Sequence, residues 1–98
     1  MFGRWHWLED KKLIKQIQQG NSDALDTIIR KYYNDIYSYC YRKTANSNTA
    51  TDLTQEVFLK VIKYIHKYVH KGKFRNYLFI IARNTCHDYY KKNGVVIE

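Results

Sequence analysis

Proline is absent from all 98 residues of this chain, and only four residues are glycine. Proline breaks helices because it lacks the backbone N–H and clashes with the preceding turn. Strands joined by tight turns usually need more Gly, Pro and Asn-Gly pairs than this chain has. A chain of this length makes one domain with a modest core. The sequence therefore predicts an all-α fold, a compact bundle of about four helices.

Apolar residues recur three and four positions apart in four segments, which is the period of an amphipathic helix. Gly20 would stop the first helix, and Asn21 or Ser22 would cap the second. Thr49 and Asp52 have the spacing of a capping box at the start of the third. The predicted helices cover residues 9–19, about 21–43, 49–68 and 74–92, with a loop at residues 70–73.

These segments also predict the domain limits. We expect an N-terminal tail at residues 1–8, the helical domain at residues 9–93, and a C-terminal tail or linker stump at residues 94–98. Side chains of the last two helices predicted to face the core are Leu53, Val57, Phe58, Val61, Ile62, Ile65, Phe74, Leu78, Ile81, Ala82, Thr85 and Tyr89.

Cys40 and Cys86 fall in apolar helical positions without metal-ligand spacing. Buried free thiols in a reducing cytosol are the expected state. The sequence contains no recognisable signal peptide or membrane-spanning segment, so a cytoplasmic protein without membrane contact is expected.

Positive charge is concentrated in the C-terminal half of the chain. Residues 57–97 contain nine Lys or Arg and one acid, Asp88. The net charge of this segment is therefore +8, the same as that of the whole chain. The remaining residues balance, with eight basic and eight acidic groups. Such an asymmetry favours a polyanionic partner, most often nucleic acid, although a basic solvated surface is the simpler alternative.

Residues 52–59, DLTQEVFL, place carboxylates and leucines along one predicted helix. Such a face suits contact with a partner helix, because the acids meet basic groups and leucine supplies buried apolar area. From the residues alone, a solvated helix face is the favoured interpretation.

Residues 74–92, FRNYLFIIARNTCHDYYKK, combine aromatic rings with Arg, Lys and Asn. Rings stack on exposed bases, Arg and Lys bind phosphates, and Asn pairs with base edges. The inward-facing members of this helix, such as Phe74, are better explained as core. Three rings remain candidates for stacking, and each could instead pack on a neighbouring helix: Tyr77, Phe79 and Tyr90.

His66 and His70 lie four residues apart, as zinc ligands on a helix sometimes do, but no carboxylate or Cys accompanies them. Solvated or phosphate-facing side chains are the favoured interpretation, for His87 as well. No nucleophile–base pair or Gly-rich phosphate loop is recognisable. We therefore expect no metal, no cofactor and no enzymatic activity.

Three segments together resemble bacterial RNA polymerase sigma factors of the extracytoplasmic-function (ECF) type. DLTQEVFLKV looks like their core-binding motif, and FRNYLFIIARNTCHDYYKK looks like their promoter-melting and promoter-reading helix. SDALDTIIRKYYNDIYSYCYR is similar to the family's opening segment. The segments occur in the family's order and spacing over about residues 9–93. The resemblance implies region 2 of a sigma factor, a helical domain.

The resemblance also implies two sites. The polymerase β′ clamp helices would contact Asp52, Leu53, Gln55, Glu56 and Leu59. The loop at residues 68–73 and the start of the last helix would hold a flipped base of the non-template −10 strand, with Asn84 lining that pocket or the strand path. The residues implied to contact DNA are Lys71, Lys73, Phe74, Arg75, Asn76, Tyr77, Arg83, Asn84, His87, Lys91 and Lys92.

The implied function is to bind the polymerase core and to recognise and melt the promoter −10 element. Complete factors of this type carry a second domain that reads the −35 element, and nothing after Asn93 resembles it. An excised domain or a short protein is therefore expected, with a partner supplying that domain; an anti-sigma factor is a further implied partner. The alternatives are a co-sigma module that binds polymerase or another sigma subunit without melting DNA, and charge-driven nucleic-acid binding without sequence preference.

Overall fold

The computed structural model describes residues 3–69 and 71–94, with side chains from residue 9 onward. Within this part of the chain there are four α-helices, one 3₁₀ turn and no strand. Their limits are α1 Gly3–Gln18, α2 Ser22–Thr44, α3 Ser47–Tyr64, the 3₁₀ turn Ile65–Lys67 and α4 Phe74–Lys92. The predicted all-α bundle of about four helices is confirmed.

Asparagine side chains cap both α2 and α3. Asn21 Oδ1 accepts a hydrogen bond from the Ala24 N–H at 3.1 Å, which confirms one of the two predicted caps. At α3 the predicted capping box is wrong, because Asn46 Oδ1 accepts from the Thr49 N–H at 3.0 Å. Asn46 has the extended backbone that an N-cap needs, whereas Thr49 already lies inside the helix.

Two predicted helix limits were also wrong. α1 begins at Gly3 instead of Glu9, so part of the predicted tail is helical. No proline interrupts this stretch, and the backbone hydrogen bonds continue through it. The α-helix of α3 ends at Tyr64, and the 3₁₀ turn that follows brings the chain to an extended Tyr68. The predicted C-terminal tail lies outside the described residues from residue 95 onward.

Helix α2 is the central element, and it packs against α1, α3 and α4. Its buried side chains recur every four residues: Ala24, Ile28, Tyr32, Ile36 and Cys40. The other helices and the 3₁₀ turn contribute to the same core Ile14, Ile17, Ala50, Leu53, Val57, Phe58, Val61, Ile65, Phe74, Leu78, Ala82 and Cys86. Each fully buried large apolar side chain stabilises the fold by roughly 1.5–3 kcal/mol.

Ile62 is the main departure from the predicted core, because 40% of it is exposed. The buried stripe of α3 passes through Val61 and Ile65, and Ile62 lies about 100° around the helix from Val61. Ile81 and Tyr89 were also predicted to face inward, and both are only partly buried.

A buried carboxylate ties α1 to α2. Asp10 is only 2% exposed, and it accepts hydrogen bonds from Lys31 Nζ at 2.5 Å and from the Tyr32 hydroxyl. Glu9 adds a second, more exposed contact to Lys31 at 2.8 Å. Burial and the hydrogen bond to Asp10 raise the pKa of Tyr32, so its hydroxyl remains a donor. No sequence pattern indicated this network.

Cys40 and Cys86 are free and buried, as predicted, with their Sγ atoms 3.8 Å apart. The hydrogen bond to Cys40 and burial raise the pKa of the Cys86 thiol. This contact joins α2 to α4 in the centre of the bundle. Within the described part of the chain, no helix has both the length and the apolar character that crossing a bilayer requires.

Candidate nucleic-acid and polymerase interfaces

A short loop connects the 3₁₀ turn to α4; it is described at residues 68, 69 and 71–73 and is here called the cleft loop. Gly72 adopts φ 76°, a left-handed conformation that glycine tolerates and most other residues avoid. Lys73 precedes α4 with an extended backbone, and its side chain does not cap the helix. The first N–H groups of α4 therefore add positive potential at the same place as the loop lysines.

Aromatic packing holds the cleft loop against α4. The ring centroids of Tyr68 and Tyr77 lie 4.4 Å apart, and Phe74 lies 5.7 Å from each. Phe74 is 1% exposed, and its ring also packs at 5.9 Å from Tyr32 of α2. Aromatic pairs at such separations stabilise a structure beyond the area they bury. The loop is thus connected to the core through Phe74.

An open cleft of about 550 Å³ lies between the cleft loop, the end of α3 and the outer face of α4. Its walls combine three tyrosine rings, three lysines, an asparagine and two aliphatic side chains. The lining residues are Tyr64, Lys67, Tyr68, Val69, Lys71, Gly72, Lys73, Asn76, Tyr77 and Ile80. A cleft with ring surfaces and a cationic rim suits a planar, uncharged group attached to an anionic backbone.

Two smaller hollows continue from this cleft along α4. One, of about 290 Å³, shares Asn76 and Ile80 with the cleft and is also lined by Arg83. The other, of about 240 Å³, shares Tyr64 and Tyr77 and is also lined by Asn84. The three spaces together form a surface along which an extended ligand can lie.

None of the described residues that line the cleft is acidic. Burial raises the pKa of both Tyr68 and Tyr77, so these rings stay uncharged near neutral pH and do not repel an anion. Next to the cleft, the Arg75 guanidinium lies 4.5 Å from the centroid of the Phe79 ring, a cation–π contact that holds this cation in place.

The structure brings most of the predicted DNA-contacting residues onto this surface. Lys71, Lys73, Asn76 and Tyr77 line the cleft, and Arg83 and Asn84 line the two hollows. Asn84 therefore lies beside the large cleft rather than among its lining residues. Further along α4, His87, Lys91 and Lys92 are exposed, and so is the acidic Asp88.

Phe74 is 1% exposed, which confirms its prediction as a core residue and makes the DNA contact implied by the resemblance wrong. As the first residue of α4, it points into the core because Tyr32 and Leu78 lie there. Two of the three candidate stacking rings also pack internally. Phe79 meets Tyr39 edge-on at 5.6 Å, and the Tyr90 hydroxyl donates to the Lys43 carbonyl. Only Tyr77 of the three lines the large cleft.

Sequence reasoning missed Tyr64, Lys67 and Ile80 as cleft residues. Ile80 is 55% exposed, and it lies four residues from both Asn76 and Asn84 on the polar face of α4. A large apolar residue within such a face was the available signal. Tyr64 and Lys67 had no comparable signal, because neither the end of α3 at Tyr64 nor the 3₁₀ turn that contains Lys67 was predicted.

A second candidate surface, here called the α3 face, is formed by Asp52, Gln55, Glu56 and Leu59. All four are exposed, Leu59 by 65%, and their spacing of three and four places them on one side of α3. Leu53 is only 3% exposed, which confirms its predicted place in the core and makes the polymerase contact implied by the resemblance wrong. It lies on the opposite side of the helix, which packs into the core.

Glu56 on the α3 face is held by a neighbouring cation. Lys60 Nζ lies 3.4 Å from Glu56 Oε2 and donates a hydrogen bond to Thr85 Oγ1 at 2.9 Å. This link connects the α3 face to α4. Among the described residues, no three His, Cys, Asp or Glu side chains form a group that could hold a metal ion. Of the predicted histidine pair, His66 is exposed and His70 lies outside the described residues.

The family model for sigma-70 region 2 matches residues 28–95. The matched range includes most of α2 and all of α3, the cleft loop and α4, and therefore both candidate surfaces. The chain belongs to the sigma-70 region 2 family.

Curated relatives agree with this assignment. The ECF RNA polymerase sigma factor SigW of Bacillus subtilis (strain 168) is 37% identical over 82 residues, covering 84% of this chain and 44% of that protein. The ECF RNA polymerase sigma factor BldN of Streptomyces coelicolor is 32% identical over 88 residues, covering 89% of this chain and 33% of that protein. The ECF RNA polymerase sigma factor SigM of Bacillus subtilis is 38% identical over 70 residues, covering 71% of this chain and 42% of that protein.

The predicted resemblance to region 2 of ECF sigma factors is therefore confirmed. This region 2 chain spans less than half of the length of each of these three relatives. The absence of enzymatic activity, the cytoplasmic location and the predicted domain limits stay predictions.

Proposed function

We propose that this region 2 domain acts in transcription initiation as part of a sigma factor. In this role it binds the RNA polymerase core through the α3 face. It also holds single-stranded non-template DNA of the −10 element in the cleft and along α4. The observation that carries the proposal is the cleft itself, where uncharged rings, an asparagine and lysines converge and no described lining residue is acidic.

The cleft supports the melting part of the proposal on energetic grounds. Extruding a base from a duplex costs a few kcal/mol of stacking and pairing. Stacking on aromatic rings returns about 1–3 kcal/mol per base, and phosphate contacts add a salt-dependent contribution. Capture of a flipped base by Tyr64, Tyr68 or Tyr77, with the backbone held by lysines, offsets the cost without covalent chemistry.

The α3 face supports the polymerase-binding part. Asp52 and Glu56 provide negative charge beside the 65% exposed Leu59, whereas residues 57–97 contain nine Lys or Arg and only one acid. A partner helix with basic residues around an apolar groove would complement this face. The likeness of residues 52–59 to the core-binding motif of ECF sigma factors makes the β′ clamp helices of the polymerase core the partner to test.

The DNA-binding part is tested with a pool of single-stranded oligonucleotides randomised over a central window. The bound fraction is sequenced, and the affinity for the selected sequence is compared with that for a scrambled sequence at equal length and salt. We expect a preferred base at one or more positions. Equal affinity for both sequences would leave charge as the whole explanation and refute base capture.

Asn84→Ala sharpens this test, with Asn34→Ala on the exposed side of α2 as the matched control. The Asn84 variant should lose sequence preference more than overall affinity, because amide side chains read base edges. The control should behave as the unchanged chain. An equal loss of affinity on all sequences would instead mean that Asn84 contacts the DNA backbone or supports the fold.

The polymerase-binding part is tested by reversing two charges. Asp52→Lys with Glu56→Lys should abolish binding to a β′ clamp-helix fragment in a pull-down or calorimetric titration. The control is Asp26→Lys with Asp35→Lys, which makes the same charge change on exposed positions of α2. Retained binding in the α3 variant, or equal loss in the control, would refute the assignment.

A further inference from the structure

The side chain of Gln18, the last residue of α1, links this helix to the base of the cleft loop. Its Nε2 donates hydrogen bonds to the Ile65 carbonyl and to the Tyr68 carbonyl, each at 2.8 Å. The acceptors lie 47 and 50 residues further along the chain. The amide nitrogen has two hydrogens, so these bonds use its full donor capacity.

The two acceptors lie at the ends of the turn that leads into the cleft loop. Ile65 begins the 3₁₀ turn, and its carbonyl also accepts the Tyr68 N–H at 3.1 Å. Tyr68 is extended, with φ −68° and ψ 132°, so its carbonyl lies beyond the helical hydrogen-bond pattern. Gln18 therefore orients the peptide group at which the chain leaves the bundle.

The orientation of that peptide determines where one wall of the cleft lies. The Tyr68 ring, attached to the same residue, packs at 4.4 Å from Tyr77 on the opposite element. A change in the backbone at Tyr68 would move this ring relative to Tyr77 and Asn76, which line the same cleft. The width and ring geometry of the cleft thus depend on a contact from outside it.

Helix α1 is a rigid support for this contact. Ile14 and Ile17 are buried in the core, and Asp10 ties the helix to Lys31 and Tyr32. The Gln18 residue itself is exposed, so its contribution comes from hydrogen bonding rather than from packing.

We propose that Gln18 is a positioning residue that sets the geometry of the cleft loop and thereby the base preference of the cleft. This inference rests on the proposed function, because it assumes that the cleft receives a base. It assigns to α1, which precedes the matched family range of residues 28–95, a role in selecting DNA sequence.

The test replaces Gln18 by glutamate, which keeps the size of the side chain and removes the donor. The control is Gln19→Glu, an identical charge change one residue further at an exposed position. In selection from the randomised single-stranded pool, the strongest base preference of Gln18→Glu should be about fivefold weaker than that of the unchanged chain. Fivefold is the change in an equilibrium constant that the net free energy of about one hydrogen bond produces. Overall affinity should match that of Gln19→Glu, whereas the thermal midpoint should be lower because two hydrogen bonds are lost.

A second measurement reports on the loop without DNA. Heteronuclear ¹⁵N relaxation of the Val69, Lys71 and Gly72 amides should show larger ps–ns motion in Gln18→Glu than in Gln19→Glu. Unchanged relaxation together with unchanged base preference would overturn the inference. So would an equal loss of affinity on every sequence, which marks a purely electrostatic effect.

The two proposals fail in different ways. If the unchanged chain shows no base preference, base capture fails and the inference about preference fails with it. Relaxation of the loop then still decides whether Gln18 orders it. If the unchanged chain has a preference that Gln18→Glu retains in full, only the role of Gln18 is refuted.

Discussion

Removal of the Asp10 carboxylate tests how strongly the α1–α2 connection stabilises this domain. Asp10 is 2% exposed and accepts hydrogen bonds from Lys31 and from the buried Tyr32 hydroxyl. In Asp10→Ala both donors lose this acceptor in a region that water enters poorly. Lys31 keeps its 2.8 Å contact with Glu9, which limits the loss.

The expected magnitude follows from these contacts. A hydrogen bond to a charged group contributes about 1.5–3 kcal/mol, and breaking a buried ion pair costs about 3–5 kcal/mol. Because Glu9 still neutralises Lys31, we expect the free energy of unfolding to fall by about 3 kcal/mol in total. For a domain of this size, each kcal/mol lowers the melting temperature by about 4–8 °C. Asp10→Asn keeps one acceptor oxygen and should lose about half as much.

The assay is urea unfolding followed by far-UV circular dichroism. Asp26→Ala is the control, because Asp26 pairs with Arg30 on the surface, where the two side chains are 62% and 79% exposed. An exposed pair of this kind contributes no more than about 0.5 kcal/mol. A loss below about 1 kcal/mol for Asp10→Ala, or a loss equal to that of the control, would refute this account of the network.

Three further predictions concern the core, a cap and pH. Leu78 is 0% exposed, and Leu78→Ala should lower the free energy of urea unfolding by about 2–5 kcal/mol. The control Leu59→Ala, at a side chain that is 65% exposed, should lower it by less than about 0.5 kcal/mol. Asn46→Ala removes the α3 cap and should destabilise the domain by about 1 kcal/mol, measured by thermal unfolding. An equal loss of stability in Asn48→Ala would contradict the capping role of Asn46. Burial raises the pKa of Tyr32 in the folded state above that of an unfolded tyrosine, which is about 10. The contribution of the neutral Tyr32 hydroxyl to the free energy of unfolding is therefore complete below pH about 10 and is lost as the pH rises further. Urea unfolding of the unchanged chain should therefore show falling stability above pH about 10, with a shallower fall in Tyr32→Phe; identical slopes would exclude Tyr32 as a cause.

The helical architecture was predictable because helix formation depends on local spacing. The absence of proline and the apolar period identified all four helices, and the limits of α2 and α4 were predicted to within about two residues. Resemblance to sigma factors located both candidate surfaces. On the α3 face, the charged residues and Leu59 are exposed as a partner contact requires, although the polymerase contact itself stays a prediction.

Other positions were decided only when the helices packed together. Ile62 belongs to a stretch that mixes apolar and polar residues, and a rotation of a fraction of a turn determines whether such a residue is buried. The cleft requires the end of α3, a 3₁₀ turn and the face of α4 to converge, which no local pattern encodes.

Two polar residues of α1 show the same limit most clearly. Asp10 and Gln18 both occupy an amphipathic helix rich in charged and amide side chains, and nothing in the sequence distinguishes them from their neighbours. Their partners lie more than twenty residues away. The sequence alone thus determined which segments are helical and where charge accumulates, because both depend on local composition. Only the tertiary structure decided which polar groups are buried, paired and able to shape the cleft, because those properties depend on contacts between distant segments.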